Sequence, residues 1–590
     1  MSFFSKNLRL LAGLDRSLYE RISGAGGAGT PRPLPPLNAA RTLDISGLDP
    51  EKDLLVFYGI GGGEHIAGVF QPDRRLPGII IIEPDMEVFI RFLHNHDLSG
   101  LAGRTVAFAV DELPGEIRLF LERAWKFFLP PAIRLVALPE AASGSQKNYF
   151  DKVTLAIRET CAAYDMNIIT LEKFGLQWMR NFIRNAEVIL SSPGIGALAG
   201  AFPGMPVFIA GAGPSLSKNV SALKKVGGRG LIISSDTAFP VLADSGVKPD
   251  LIVSIDSLRV NCNHLRYNDT SGIYLAAYPT IDPAAFGYFR GRTFLALSGN
   301  PVELLLKDKL SGVPVPDTGG SVTTVAFFLA RLFGAGAVIM AGQDFSYSGG
   351  LSYSKGTYFL RNMLELADRW HTAEALMRNN LLSGDPVITY EDYGLKHRTT
   401  AKMLNWKKWF EFKIRDFQGA CVDSTEGGLP LGGFLEMPLE KAVDKFCLVE
   451  YNKKMVFEDA LRSSGARLRD GRASELGPVL TTLGRARSLI DEAKRLLERS
   501  KRAGSASAGF LSRAAALSRQ IIADGELMQA TRWVMEPVLR KMETVKGEDA
   551  SSFIARNEMF LGAYSKCLKM LSAEIKKVMA GIDDRSKRGK

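Results

Sequence analysis

Between residues 205 and 345 the chain repeats one pattern: a short, continuous apolar run that stops abruptly at glycine, serine or aspartate. Pro206-Val207-Phe208-Ile209-Ala210 breaks at Gly211-Ala212-Gly213-Pro214-Ser215. The run from Gly230 to Ser235 ends at Asp236, and that from Pro249 to Ile255 ends at Asp256. Ala337-Val338-Ile339-Met340-Ala341 ends at Gly342-Gln343-Asp344. Runs without polar alternation are strands buried on both faces, as in a parallel sheet covered by helices. Tyr274 to Ala277 is a further candidate strand. A parallel sheet gathers the carboxyl ends of its strands at one edge, where ligands lie. Glycine and aspartate also make ordinary turns, but turns alone do not explain their repeated placement directly after buried strands. The expectation is an α/β core with a cleft along that edge.

Two of the strand ends look suited to anions. Gly211 and Gly213 let the backbone bend with its N–H groups exposed. With Pro214 and Ser215 they lead into a helix predicted to start near Ser215–Ser217, whose N-terminus adds positive potential. The loop lacks the Lys-Ser/Thr ending of a P-loop, so a Walker nucleotide-triphosphatase is excluded. Gly319, Gly320 and Ser321 form a second such turn, after Asp317-Thr318 and before a helix predicted over Thr323–Leu332. Tyr347, Tyr353, Lys355 and Tyr358 are candidates to line a substrate mouth, and Ser424-Thr425-Glu426-Gly427-Gly428 is another polar glycine turn.

The flanks read differently. Residues 24–36 are a glycine and proline linker, and the first 23 residues are expected to form a short helix outside the main fold. Leu54-Leu55-Val56-Phe57-Tyr58, Gly59-Ile60-Gly61-Gly62-Gly63, a helix expected after them, Ile79-Ile80-Ile81-Ile82 and Glu83-Pro84-Asp85 follow the strand, glycine turn, helix, strand and acid order of a dinucleotide or adenosyl-cofactor unit. A Rossmann-like scaffold that holds no cofactor fits those residues equally well. Phe174, Trp178, Phe182 and Ile189 fall on one helical face and read as packing. Beyond residue 440, Leu483, Ala486, Ile490, Ala493 and Leu497 recur at helical spacing, as do Phe560, Tyr564, Cys567, Leu571, Ile575 and Val578. Lys501 to Gly509 reads as a flexible joint, and Ser586 to Lys590 as a loose end. The expected domains are a helix and linker over 1–36, a Rossmann-like domain over 37–135, a catalytic α/β domain with a helical connector over 136–440, and a helical domain over 441–590.

At 590 residues the chain is long enough for several cores. No apolar run approaches the roughly 20 residues that span a bilayer. The N-terminus has no adequate signal-peptide core, so a cytoplasmic protein is expected. Cys161, Cys262, Cys421, Cys447 and Cys567 are scattered without a Cys-x-x-Cys pair, and His94 and His96 have no partner ligands downstream. Neither a disulfide framework nor a metal site is predicted. Residues 441–590 hold 30 Lys and Arg against 19 Asp and Glu, which supplies the whole net charge of +11. Those charges are interspersed and lack basic–aromatic interleaving, so they read as solvated helix faces, and nucleic acid is not an expected partner.

Taken together, Phe208-Ile209-Ala210-Gly211-Ala212-Gly213-Pro214-Ser215-Leu216, Ser235-Asp236, Val253-Ser254-Ile255-Asp256, Gly319-Gly320-Ser321-Val322, Gly342-Gln343-Asp344-Phe345 and Ser424-Thr425-Glu426-Gly427-Gly428 resemble the motility accessory factor family of bacterial flagellin glycosyltransferases. The central region is also similar to archaeal-type 6-hydroxymethylpterin diphosphokinases. The motif match covers about 205–430, and the flanks fit the layout of the longer motility proteins. The resemblance implies a central sialyltransferase-like domain that moves a nonulosonic acid, of the pseudaminic or legionaminic type, from its CMP conjugate to Ser or Thr of flagellin. No cofactor or metal is then required. On that reading Gly211–Ser215 holds the CMP phosphate, Asp236 or Asp256 binds ribose or cytosine, and Gly319, Gly320 and Ser321 form the opposite wall. Asp256, Asp344 or His264 takes the acceptor proton. The alternatives are diphosphate transfer from ATP to a pterin, with Asp236, Asp256 and Asp344 holding Mg²⁺, a non-catalytic flagellin-assembly factor, and an adenosyl-cofactor methyltransferase.

Overall fold

The computed structural model describes residues 2–24, 54–67, 78–101, 106–112, 117, 120–121, 133–137, 146–306, 310, 312–316, 318–383, 386–392, 394–468, 476–503, 508–523, 525–545 and 549–588. The expected linker after residue 24, Asp317 and residues 504–507 of the expected joint lie outside these. The chain forms two compact units, Met1–Thr170 and Leu171–Lys590.

The first unit is built on a parallel sheet of β1 (Leu54–Tyr58), β2 (Gly78–Glu83), β3 (Val106–Val110) and β4 (Ile133–Ala137), in the order β3-β2-β1-β4. Helices α1 (Phe3–Leu14) and α2 (Arg16–Gly24) do not stand outside it. Leu11, Leu18 and Ile22 are buried in one cluster with Phe89, Phe92 and Leu93 of α3 (Met86–Asn95). Asn7, also buried, donates from Nδ2 to the carbonyls of Leu93 at 2.8 Å and His96 at 2.7 Å, and accepts from Leu98 N–H. Burying an amide among apolar side chains is tolerable only with its bonds made, so this triple contact fixes the N-terminal helices in place.

The acids after β2 serve the backbone. Glu83 is buried and accepts from the N–H of Ile60 at 2.7 Å and of Asp85 at 3.0 Å. Asp85 caps α3 by accepting from Glu87 N–H. Of the two readings open at the sequence level, this geometry favours the scaffold: the carboxylate placed for a ribose already closes the glycine turn. Helix α4 (Lys147–Arg184) leads into the second unit.

The second unit carries an eight-stranded, all-parallel sheet in the order β14-β13-β10-β5-β6-β7-β8-β9. Its strands are β5 (Pro206–Ala210), β6 (Leu231–Ser235), β7 (Leu251–Ser254), β8 (Tyr274–Ala277), β9 (Thr293–Leu295), β10 (Ala337–Ala341), β13 (Ala420–Asp423) and β14 (Leu435–Glu436). The continuous apolar runs form strands because both faces are covered. Val207, Ile209, Leu231, Ile233 and Val253 pack under α5 (Val322–Phe333) and Phe410. Ile252, Leu275 and Leu295 join a core that also contains Phe182 and Ile189 and the apolar faces of α8 (Gly477–Ala503), α9 (Ala508–Ala523), α10 (Gly525–Thr544) and α11 (Ala550–Arg588). The spaced residues 483–497 and 560–575 are therefore the seams of helices that share a core with the sheet. Each fully buried Leu or Ile contributes about 1.5–3 kcal/mol. Helix α8 continues through the first residues of the expected joint to Ala503, and α11 runs to Arg588 rather than loosening at Ser586. No helix among the described residues is long and apolar enough to cross a membrane.

The order of the sheet places the site. From β5 the chain goes one way to β6, while β10 returns on the other side of β5. The gap between the carboxyl ends of β5 and β10 is the topological switch point.

Candidate active site

At the carboxyl edge of the large sheet lies a cleft of about 490 Å³. The loops after β5, β6, β7 and β10, the N-terminus of α5 and an excursion between β10 and β13 wall it. Every motif singled out from the central sequence reaches this edge, yet the motifs do different work there.

The glycine loop after β5 is held by the protein itself. Gly211 N–H donates to Ala341 O, Gly213 N–H to Gly342 O and Leu216 N–H to Gly213 O. Ser217 N–H donates to Ser354 Oγ at 3.0 Å. The Asp344 carboxylate takes Ser215, accepting from Oγ–H at 2.7 Å and from N–H at 3.1 Å. Pro214 has no N–H, so among the described residues only Ala212 N–H of Gly211–Ser215 carries no hydrogen bond. The glycines are needed for the close approach of two backbones. A Cβ on Gly211 would lie 2.7 Å from Gly342 O, and one on Gly213 would lie 2.1 Å from Asp344 Oδ2. The turn at 424–428 backs the same contact: Thr425 Oγ1 accepts from Gln343 N–H, and a Cβ on Gly428 would lie 2.1 Å from Asp344 O.

The second glycine turn is open. Ser321 caps α5, and Gly320 sits at φ +85°, a left-handed conformation that glycine adopts without strain. Thr324 Oγ1 accepts from the N–H of Gly319 and Ser321. Among the described residues no hydrogen bond engages the N–H of Gly320, Val322 or Thr323, and all three residues line the cleft. Val322 and Thr323 carry donors that every helix leaves unpaired in its first turn, at the positive end of its dipole, and Gly320 adds the N–H just ahead of the cap. Gly319 itself packs on Trp409, where a Cβ would lie 2.7 Å from the ring. Across the turn stand Lys402 and Trp406 of α7 (Ala401–Lys413), the ammonium 5.1 Å from the indole centroid.

The three acids also separate. Asp344 is 2% exposed, and burial raises its pKa against the opposing bonds from Ser215. Asp236, equally buried, accepts from Ser254 Oγ–H at 2.7 Å and Thr237 N–H at 2.7 Å. Burial pushes its pKa up to about 6, with the Asp256 charge adding to the rise. Asp256 is exposed at the cleft wall. One of its oxygens accepts from Leu258 N–H at 3.0 Å, and the other carries no hydrogen bond among the described residues. His264 is fully buried, edge-on to the rings of Tyr358 and Phe359 of α6 (Tyr358–Leu366), with neither ring nitrogen hydrogen-bonded, and burial lowers its pKa to about 4. It does not line the cleft.

Of the expected mouth residues, Tyr347 and Tyr353 line the cleft and Lys355 and Tyr358 do not. Tyr353 stacks on Phe359 at 4.9 Å and forms an aromatic wall. Thr323, Lys402 and Trp406 escaped the sequence reading. A cation four residues before an aromatic on a helix was the available signal for the last two, but α7 has no other mark of a site.

Residues 180–350 match the family described as 6-hydroxymethylpterin diphosphokinase MptE-like. Two uncharacterized proteins of Treponema pallidum (strain Nichols) are similar to parts of the chain. One is 28% identical over 167 residues, covering 28% of this chain and 55% of the relative. The other is 37% identical over 87 residues, covering 14% and 39%. The chain thus spans about half the length of the first of these relatives, and less of the second. A solved structure, the MAf glycosyltransferase from Magnetospirillum magneticum AMB-1, superposes with a TM-score of 0.55 at 16% identity, over 98% of this chain and 97% of that one. The protein therefore has the α/β fold of a MAf glycosyltransferase along nearly its whole length, with an MptE-like domain at its centre, which is the pairing that the motifs resembled.

Proposed function

We propose that the cleft transfers a nonulosonic acid from its CMP conjugate to Ser or Thr hydroxyls of flagellin. The observation that supports this best is the pairing, in one cleft, of open N–H donors on α5 with the exposed carboxylate of Asp256. Gly320, Val322 and Thr323 N–H, with the Lys402 ammonium, hold the CMP phosphate. This moves the phosphate from the loop at Gly211–Ser215, where every N–H but that of Ala212 is engaged, to the turn first assigned to the opposite wall. Trp406 and Tyr353 offer apolar faces to the base or the sugar. Asp236, flanked by Ser235 and Thr237, faces ribose hydroxyls.

The bond between the anomeric carbon and the phosphate oxygen breaks, and its electron pair leaves with CMP. An acceptor hydroxyl oxygen bonds to the anomeric carbon, and its proton passes to the free oxygen of Asp256. The cationic character of the sugar in transit is stabilised by that same carboxylate, and the departing phosphate by the helix donors. Donors preorganised on the leaving group act where charge develops, so they favour the transition state over the bound donor. Asp344 has no part in proton transfer on this reading; it positions the β5 loop.

A second reading is favoured by the MptE-like match: diphosphate transfer from ATP to a pterin. It needs oxygens free to hold Mg²⁺, and two of the three strand-end acids are engaged by serine and threonine donors. The test is the melting temperature with CMP and with ATP–Mg²⁺, together with the mass of flagellin from cells with and without the protein. A rise with CMP and a lighter flagellin in its absence are expected. A rise with ATP–Mg²⁺ alone and an unchanged flagellin would sink the transferase reading.

A further inference from the structure

We propose that the excursion between β10 and β13 is the docking surface for the acceptor polypeptide, which adds in extended form to the free edge of its β-hairpin. This deepens the transferase reading and rests on it.

The hairpin pairs β11 (Val387–Asp392) with β12 (Leu395–Thr400), antiparallel and through six residues each. A two-stranded ribbon is marginal in water on its own, and this one is tied to the fold at Tyr390, Arg398 and Thr399. This one also exposes apolar side chains: Leu395 is 65% exposed, and Val387 and Ile388 are 38% each. The preceding stretch adds Leu364, Leu366, Trp370 at 78% and Leu382 at 72%. Seven of the eighteen exposed large hydrophobics among the described residues thus fall between positions 364 and 395. Scattered singly, such residues need no explanation; gathered on one excursion they mark an interaction surface.

The hydrogen-bond phase of the ribbon says how a partner would bind. Arg398 O accepts from Tyr347 N–H at 2.8 Å, so the backbone groups of Arg398 point away from β11. Its register partner Thr389 then points its own N–H and C=O away from β12. The two-residue alternation turns Val387 and Glu391 outward as well. Among the described residues no hydrogen bond engages the backbone of these three. A row of unpaired donors and acceptors beside exposed apolar side chains is what an added strand satisfies.

Position identifies the occupant. Asn380 and Leu381 precede the hairpin and line the cleft, and so do Thr400, the last residue of β12, and Lys402, which follows it. The hairpin's root is fixed there by Thr399 Oγ1 donating to Phe345 O at 2.6 Å. A strand laid along β11 runs to the Val387 end, paired with Thr400, where the cleft opens. A hydroxyl side chain on that strand is delivered to the wall that carries Asp256. An extended segment of the acceptor fits this geometry, and its apolar side chains meet Ile388 and Leu395.

Thr389→Pro removes one outward N–H and leaves the ladder with β12 intact, while Thr389→Val keeps the N–H and is the control. Both are made in the full chain and tested with purified flagellin and with CMP. The CMP-induced rise in melting temperature should match wild type in both. Flagellin binding without donor should weaken at least tenfold in Thr389→Pro, with Thr389→Val and wild type alike, and KM for flagellin should rise by the same factor. Leu382→Asp, which leaves the ladder untouched, should act in the same direction. Unchanged flagellin binding in both Thr389→Pro and Leu382→Asp would overturn the proposal. So would a dimer in wild type that Thr389→Pro converts to monomer with transfer intact, because the edge would then join two copies. Loss of the CMP effect in wild type would count against the transferase reading, and flagellin binding measured without donor would still decide the surface.

Discussion

Replacing Asp344 separates a positioning acid from a catalytic one. Its carboxylate accepts two bonds from Ser215, at 2.7 Å from Oγ–H and 3.1 Å from N–H, and Ser215 is fully buried. Asp344→Ala leaves both donors without an acceptor. A buried donor orphaned in this way costs about 1–3 kcal/mol. Removing the carboxylate returns part of that, since burial already disfavours its charged form. The net expectation is a loss of about 2–4 kcal/mol, with Asp344→Asn losing about 1 kcal/mol because its amide oxygen still accepts. The two units need not unfold together, so a single global unfolding energy is the wrong measure. Hydrogen exchange at the Ser215 amide reads the local contact directly. At 1.4 kcal/mol per factor of ten, exchange should quicken about 30- to 700-fold in Asp344→Ala. CMP-dependent transfer should fall in parallel, and Asp344→Asn should retain most of both. Unchanged exchange with transfer abolished in Asp344→Asn would refute the reasoning and return Asp344 to the chemistry.

Three further outcomes follow from the same geometry. Asp256→Asn should lower transfer by about 10²–10⁴-fold, the usual worth of a general base, with no change in melting temperature because the side chain is exposed; retained transfer in a flagellin glycosylation assay would remove Asp256 from the mechanism. For Asp236, the folded pKa of about 6 lies above the ordinary 3.8, so its contribution to stability is full below 3.8 and is lost as pH rises through about 6. The stability of wild type relative to Asp236→Asn should fall across that window in denaturant titrations, and a flat difference would contradict the burial argument. For His264, the folded pKa of about 4 lies below 6.5, so its contribution is present above pH 6.5 and is lost as pH falls toward 4. His264→Phe should remove that acid sensitivity, raise neutral-pH stability by about 1 kcal/mol by deleting two unpaired buried nitrogens, and keep transfer intact; lost transfer would restore His264 as a base.

The linear order of residues determined the sheet. Apolar runs such as 206–210 and 337–341 have no polar alternation, and only a strand covered on both faces hides them. The glycine and aspartate stops fixed which edge carries the cleft, and the helical spacing of Leu483 to Leu497 and of Phe560 to Ile575 marked faces that had to be buried. The glycine and proline stretch at 24–36 set the N-terminal helices apart from the fold in sequence; only the fold supplies the carbonyls of Leu93 and His96 that make the burial of Asn7 tolerable.

What sequence left open was the state of each polar group. Gly211–Ser215 and Gly319–Ser321 look alike as glycine turns before helices. One is closed and the other open because β10 lies beside β5 and carries Asp344 against Ser215, 129 residues away along the chain. The same crossing decided that Asp344 is buried and engaged while Asp256 keeps an oxygen free. Whether a donor or a carboxylate is available depends on its neighbours in space. A local pattern specifies a residue's conformation, and only the assembled sheet specifies its partners.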